Sequence, residues 1–169
     1  MQNIPKFLSN YQLKQLTRHL CTPMMKDAVI VMYAYALRIS ELCTITKADV
    51  DLDHDVIRIT GKGKVRDLPI TDSTREILIR AMKRPGKLFN VSVRSFRNYI
   101  YAAASRANLG HVHPHMIRHS TATHMLNSGE TLPAIQAWMR HEKGQSTMIY
   151  THVATDYLRK VGNRIVVPA

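Results

Sequence analysis

Residues 113–126, HPHMIRHSTATHML, carry four histidines and one arginine within fourteen positions. Three kinds of chemistry are open to them. His115 and His119 are four residues apart, so on a helix they share one face at a spacing that suits zinc. The metalloprotease pattern H-E-x-x-H would place a glutamate base between them, but the stretch here is HMIRH, and Arg118 would repel a dication. No Asp or Glu lies between Glu76 and Glu130 to complete a mixed ligand set, so no metal is expected. The second reading is structural: capping and surface histidines on an ordinary helix. In the third, the segment is one share of a site whose other parts lie elsewhere in the chain.

The elements that must position these residues can be read from local signals. Ser9 and Gln12 have capping-box spacing ahead of YQLKQLTRHL, which predicts a helix over 10–20. Thr22 and Pro23 open a second helix, MMKDAVIVMYAYAL, whose near-continuous apolarity makes it the central buried one and carries it to Arg38. VIRIT and VRDLPI flank a Gly-Lys-Gly-Lys turn and read as a β-hairpin. Thr71 or Asp72 caps a helix through about Arg84, ended by Pro85 and Gly86. Ser92 starts another, stopped by Gly110, and Pro114 begins the histidine-rich helix, which runs to Asn127. Thr131 and Pro133 start a helix through Met139, and short helices near 146–152 and 155–161 follow. The expected fold class is mainly α with a small antiparallel β-sheet, and the expected organisation is a single domain over 1–169.

The chain has 24 Lys and Arg against 12 acids, a net charge of +12 and a pI near 10.1. From Ile77 to Gly129 there are eight Lys or Arg and no acid. Over that length a one-sided charge favours a polyanion partner, nucleic acid ahead of an acidic membrane surface. The apolar stretch Ala28–Leu37 is too short to span a bilayer, and MQNIPKFLSN has no signal-peptide pattern. Cys21 and Cys43 make neither a disulfide framework nor a cysteine-type zinc site. These features predict a cytoplasmic protein without a membrane partner.

The histidine segment gains its meaning from three others. Arg38 in ALRISEL, Lys62 in TGKGKVRDLPI, His115 and Arg118 in HPHMIRHSTATHML, and His141 followed nine residues later by Tyr150 in MRHEKGQSTMIYTHV together resemble the tyrosine recombinases, the phage-integrase family. The likeness runs from about Leu16 to Val153 in the family's order, with 24 residues between Arg38 and Lys62.

The resemblance implies that family's catalytic-domain fold and a DNA strand-exchange enzyme. Its tyrosine attacks the scissile phosphate, forms a 3′-phosphotyrosyl link and frees a 5′-hydroxyl; here that nucleophile is Tyr150. A phenol with pKa near 10 is only about 0.1% ionised at neutral pH, so it requires cationic neighbours or a base. Arg38 and Arg118 would hold the phosphoryl oxygens as their charge grows, in the place metal ions take in many phosphoryl-transfer enzymes. Lys62 on the hairpin turn would protonate the leaving 5′-oxygen, and His115 and His141 would assist proton transfer. Lys64 and Arg66 read as DNA-phosphate contacts, with plain solvation as the alternative. No cofactor is implied. The partners implied are double-stranded DNA and three further copies of the chain, as a homotetramer on paired sites.

Plainer readings stand beside these. Arg38 is also placed to pair with Glu41 three residues on, Tyr150 is one of seven tyrosines, and Lys62 is a plausible turn residue. His119 and His124 are expected to support the helix. A topoisomerase making the same 3′-phosphotyrosine, or a non-catalytic DNA-binding protein on this scaffold, would use a similar residue set. The sequence departs from the family pattern in two places: Tyr35 and Ala36 stand where Thr-Gly usually precedes Leu-Arg, and Arg140 stands where Gly usually precedes the second histidine. Many members also carry an N-terminal DNA-clamping domain, which is not expected here. At the other end, Ile165, Val166 and Val167 suit either an anchor on a neighbouring protomer or a cover for this molecule's own core.

Overall fold

The structure, a computed structural model, describes residues 7–140 and 154–167, with 154–158 described by backbone alone. His141, Tyr150 and the helix expected near 146–152 lie outside the described residues.

The chain starts with helix α1 (Asn10–Arg18), opened by the predicted capping box: Gln12 N donates to Ser9 Oγ at 3.2 Å, and Ser9 N to Gln12 Oε1 at 2.9 Å. Helix α2 (Pro23–Ala34) begins with Thr22 capping Met25 N, and most of its circumference is buried, as its apolar run requires. It does not reach Arg38. Ala36 adopts a left-handed φ of 48°, Ala36 N bonds to Tyr33 O, and Leu37 N bonds to Met32 O, the Schellman pattern that stops a helix. The apolar pattern continues past the stop because Tyr35, Ala36 and Leu37 are buried as well. Arg38 instead caps a short helix, α3 (Ile39–Thr44), which the sequence reading did not include.

A 3₁₀ turn (Lys47–Asp49) leads into the sheet, strands β1 (Val50–Asp51), β2 (Val56–Gly61) and β3 (Lys64–Pro69), antiparallel in that order. The predicted hairpin is β2–β3, paired from Val56↔Pro69 to Gly61↔Lys64. Its two-residue turn has φ of 49° at Lys62 and 72° at Gly63, the positive pair of a type I′ turn. Strand β1, two residues long, was too short to leave an alternating pattern.

Four helices follow: α4 (Asp72–Met82), α5 (Val93–Arg106), α6 (Pro114–Asn127) and α7 (Leu132–Met139). Helix α5 ends before Gly110, in a Schellman pattern built on Asn108 with φ of 52°. Helices α4 and α6 pack on α2, and one hydrophobic cluster extends from Leu8 to Ile165. Asp27, buried on α2, accepts hydrogen bonds from both Arg80 and Arg84, which docks α4 against it.

Helix α8 (Ala154–Asn163) lies against β3 and α7. A Cβ on Gly162 would come within 2.5 Å of Trp138 and 2.6 Å of Thr71, so only glycine allows this approach. Asn163 exchanges two hydrogen bonds with Asp72, and Arg164 pairs with buried Glu130. Ile165 is buried in this molecule's own core, whereas Val166 is 68% exposed. Among the described residues, no helix is long and apolar enough to cross a membrane.

Candidate active site

The site begins with four carbonyls at and just beyond the end of α2, those of Tyr33, Ala34, Tyr35 and Ala36, of which Tyr33 O already accepts from Ala36 N. Each meets a side chain from α6, α7 or the residue after α7. Thr121 Oγ1 donates to Tyr33 O at 2.6 Å, Trp138 Nε1 to Ala34 O at 2.9 Å, and Arg140 Nη1 to Tyr35 O at 2.8 Å. Ala36 O accepts from Arg118 Nη1 and from Arg140 Nη2. Arg118 Nη2 also donates to Met139 O at 2.7 Å, so this guanidinium ties the end of α2 to the end of α7.

Arg118 is only 3% exposed. Burial, followed by repulsion from Arg140 and Arg38, pushes its pKa down to about 10, which leaves it charged at neutral pH. Two of its five donors serve the backbone carbonyls above. Arg38 sits across the turn and is 26% exposed. Its Nη1 donates to Glu41 Oε1 at 2.8 Å and its backbone N to Glu41 Oε2 at 2.7 Å. The anticipated Arg38–Glu41 pair is therefore present, and it occupies one edge of the guanidinium.

Glu41 is 3% exposed and is shared: Arg140 Nη2 donates to its Oε2 at 3.0 Å. Burial pushes the Glu41 carboxyl up, but Arg140 and then Arg38 outweigh it and hold the group below the usual carboxylate range. Among the described residues, one carboxylate thus lies among three guanidiniums, leaving a net positive charge where Arg38, Arg118 and Arg140 meet.

His115 lies one helical turn before Arg118 on α6, exposed, with its ring edge-on to His119 at 4.9 Å between centroids. Its pKa is lowered, first by partial burial and then by Arg118, His113 and Arg38, so the ring favours its neutral form. His124 is a packing residue, its Nδ1 2.7 Å from Tyr33 Oη and its ring against Phe7 and Tyr33. The hairpin closes the other side. Gly61 lies directly on Glu41, and Lys62 follows at the tip of the turn. Lys64 and Arg66, both exposed on β3, line one concavity with Arg38, Glu41, Ile59, Gly61 and Arg140.

The described part of the site therefore brings together Arg38, His115 and Arg118, with Lys64 and Arg66 at its edge. Glu41, expected only as a plain partner of Arg38, and Arg140, noted only as a departure from the family pattern, prove central, and Gly61 makes its close approach to Glu41. The available signal for Arg140 was the departure from glycine, because both positions that depart in this way, Ala36 and Arg140, have left-handed backbones, with φ of 48° and 55°.

A concave cluster of guanidiniums on a mostly helical body with a three-stranded sheet suits one task, holding an anionic tetrahedral group against a cationic floor. Fold and site together point to the catalytic domain of an integrase-type protein. The chain belongs to the phage integrase family, whose family model matches residues 6–156. It is 35% identical to the tyrosine recombinase XerC of Bacillus subtilis, over 94% of this chain and 60% of that protein. The integrase of mycobacterium phage Brujita superposes with a TM-score of 0.79 at 28% identity, covering 98% of this chain and 60% of that one. The catalytic domain of bacteriophage HP1 integrase superposes with a TM-score of 0.68 at 27% identity, covering 92% of each chain. The chain thus spans about 60% of the length of the curated relative it matches, and nearly all of an integrase catalytic domain.

Proposed function

We propose that this chain cleaves and rejoins DNA strands as the catalytic part of a site-specific recombinase. The phenol oxygen of Tyr150 attacks the scissile phosphorus, the bond to the 5′-oxygen breaks, and a 3′-phosphotyrosyl link forms. Lys62 gives its proton to the departing 5′-oxygen, which would otherwise leave as an alkoxide. Arg38 and Arg118 hold the non-bridging oxygens as charge builds on them, and His115 and His141 assist proton movement. Strand joining runs the same steps in reverse with a 5′-hydroxyl from a partner duplex. The phosphodiester bond energy is kept in the covalent link, so no ATP is required.

The observation that carries this reading is the gathering of cationic forks at one place: Arg38 and Arg140 line a concavity with Lys64 and Arg66, and Arg118 lies close enough behind to be repelled by both guanidiniums. Two fixed forks at the floor suit a phosphate, and flexible cations at the rim suit the neighbouring backbone of a duplex. Double-stranded DNA is the proposed partner, and a homotetramer on paired sites in the cytoplasm is the proposed assembly. The decisive experiment uses a nicked duplex that traps covalent intermediates. Tyr150→Phe abolishes trapping and leaves DNA binding intact. For Lys62→Ala, replacing the bridging 5′-oxygen by sulfur restores cleavage, because a thiolate leaves without a proton; absence of rescue rejects the role of Lys62.

A further inference from the structure

Arg140 occupies a backbone conformation that suits glycine, with φ of 55° and ψ of 43°. A side chain there costs about 1–2 kcal/mol. The strain persists because surrounding bonds over-determine it. The guanidinium turns back into the protein, 5% exposed, and its two terminal nitrogens reach four acceptors: Tyr35 O, Trp138 O, Ala36 O and Glu41 Oε2. A single planar group therefore spans the turn that leads into Arg38 and the carboxylate that Arg38 grips.

Arg38 holds both Glu41 oxygens, Oε1 through its Nη1 and Oε2 through its backbone N, but both donors belong to the residue being positioned, and Arg140 is the anchor outside it. With Arg140 Nη2 as a second donor on Oε2 and Gly61 against Oε1, the carboxylate is tied to the body of the protein as well as to Arg38. A fixed carboxylate fixes the direction of the Arg38 fork. Lysine cannot replace this arrangement, since a point ammonium lacks the planar pair of nitrogens.

We infer that Arg140 is a positioning residue for strand cleavage, clamping Glu41 and the 35–36 turn so that the Arg38 guanidinium is preset toward the phosphate. This deepens the proposed function and rests on Arg38 being a phosphate ligand. A glycine at 140 would have no side chain with which to make the clamp.

The test measures the single-turnover rate of covalent trapping on the nicked duplex at saturating DNA. Arg140→Gly is expected to lower that rate about ten- to a hundredfold, the range for residues that orient a reacting group through another, while Kd for DNA changes little. Because Arg140 acts through Arg38, Arg38→Ala costs less in the Arg140→Gly background than in the wild type. Additive losses, or a wild-type rate in Arg140→Gly, overturn the inference. If Arg140→Gly does not fold, Arg140→Lys decides: a reduced rate supports the clamp, and a wild-type rate refutes it. Carboxyl NMR of Glu41 provides an arm independent of activity, in which the titration midpoint rises in Arg140→Gly. If wild-type protein traps no DNA, the proposed function fails, and the Glu41 titration still reports on the clamp.

Discussion

Gly61 lies so close to Glu41 that a Cβ at position 61 would stand 2.4 Å from Glu41 Oε1 and 3.1 Å from its Cγ. The hairpin carrying Lys62 and the carboxylate gripping Arg38 are thus in direct contact across the site. Gly61→Ala must push the Glu41 carboxylate off its present seat or lift the hairpin. Either movement separates groups proposed to act on the same phosphate. Overpacking of this kind costs about 1–3 kcal/mol. The expected outcome is a folded protein with a modestly lower Tm and a large loss of covalent trapping, measured by thermal unfolding and by the nicked-duplex assay.

Arg38 and Arg118 should respond differently to the same substitution. Lysine keeps the charge and loses the fork at both, so trapping should fall about a hundredfold or more in each. Arg118→Lys also strips Met139 O of the partner it has among the described residues, whereas Ala36 O keeps Arg140. One orphaned buried carbonyl costs about 1–3 kcal/mol. Arg118→Lys is therefore expected to melt several degrees lower than Arg38→Lys in a calorimeter, at similar loss of cleavage.

His115 should titrate below an ordinary histidine. The causes are partial burial, then Arg118, His113 and Arg38, all of which disfavour the imidazolium. On acidification the unfolded chain binds this proton first, so the stability carried by the neutral ring is complete above the ordinary histidine value. It is lost as pH falls from there through the lowered folded value. Arg38→Ala removes one repelling charge and raises the midpoint, which ring NMR would read directly. A His115 midpoint unmoved by Arg38→Ala would show that the two groups do not share a site.

DNA affinity should fall steeply with salt, as expected for a chain of net charge +12. Lys64→Ala and Arg66→Ala should each reduce the slope of log K against log salt by about one. Both side chains are exposed, so folding should not change. Fluorescence anisotropy across a salt series measures both points, and an unchanged slope would assign the two residues to solvent.

Much of this architecture is legible in local patterns. Ser9 with Gln12, Thr22 with Pro23, and the Lys62–Gly63 turn each carry their own chemistry within a few residues, and each forms as read. The end of α2 was not legible. Apolarity continues through Tyr35–Leu37, because those residues are buried by α4, α6 and α7 rather than by helix periodicity. The stop depends on partners as distant as Trp138 and Arg140, about a hundred positions away. Candidate site residues were legible as types at family spacing, and Arg38, His115 and Arg118 do converge. The clamp was invisible because Glu41 and Arg140 are ordinary residues whose meaning depends on burial and a left-handed backbone.

The capping of α2 by Thr121, Trp138, Arg140 and Arg118 bears on how the molecule is born. A polypeptide emerging from the ribosome reaches the end of α2 early, yet the groups that close those carbonyls are made about a hundred residues later. Until residue 140 has left the exit tunnel, the turn before Arg38 has its own Schellman bonds but not the side chains that close the Ala34, Tyr35 and Ala36 carbonyls. The cleft around Arg38 therefore takes its shape only once the chain has been made through residue 140.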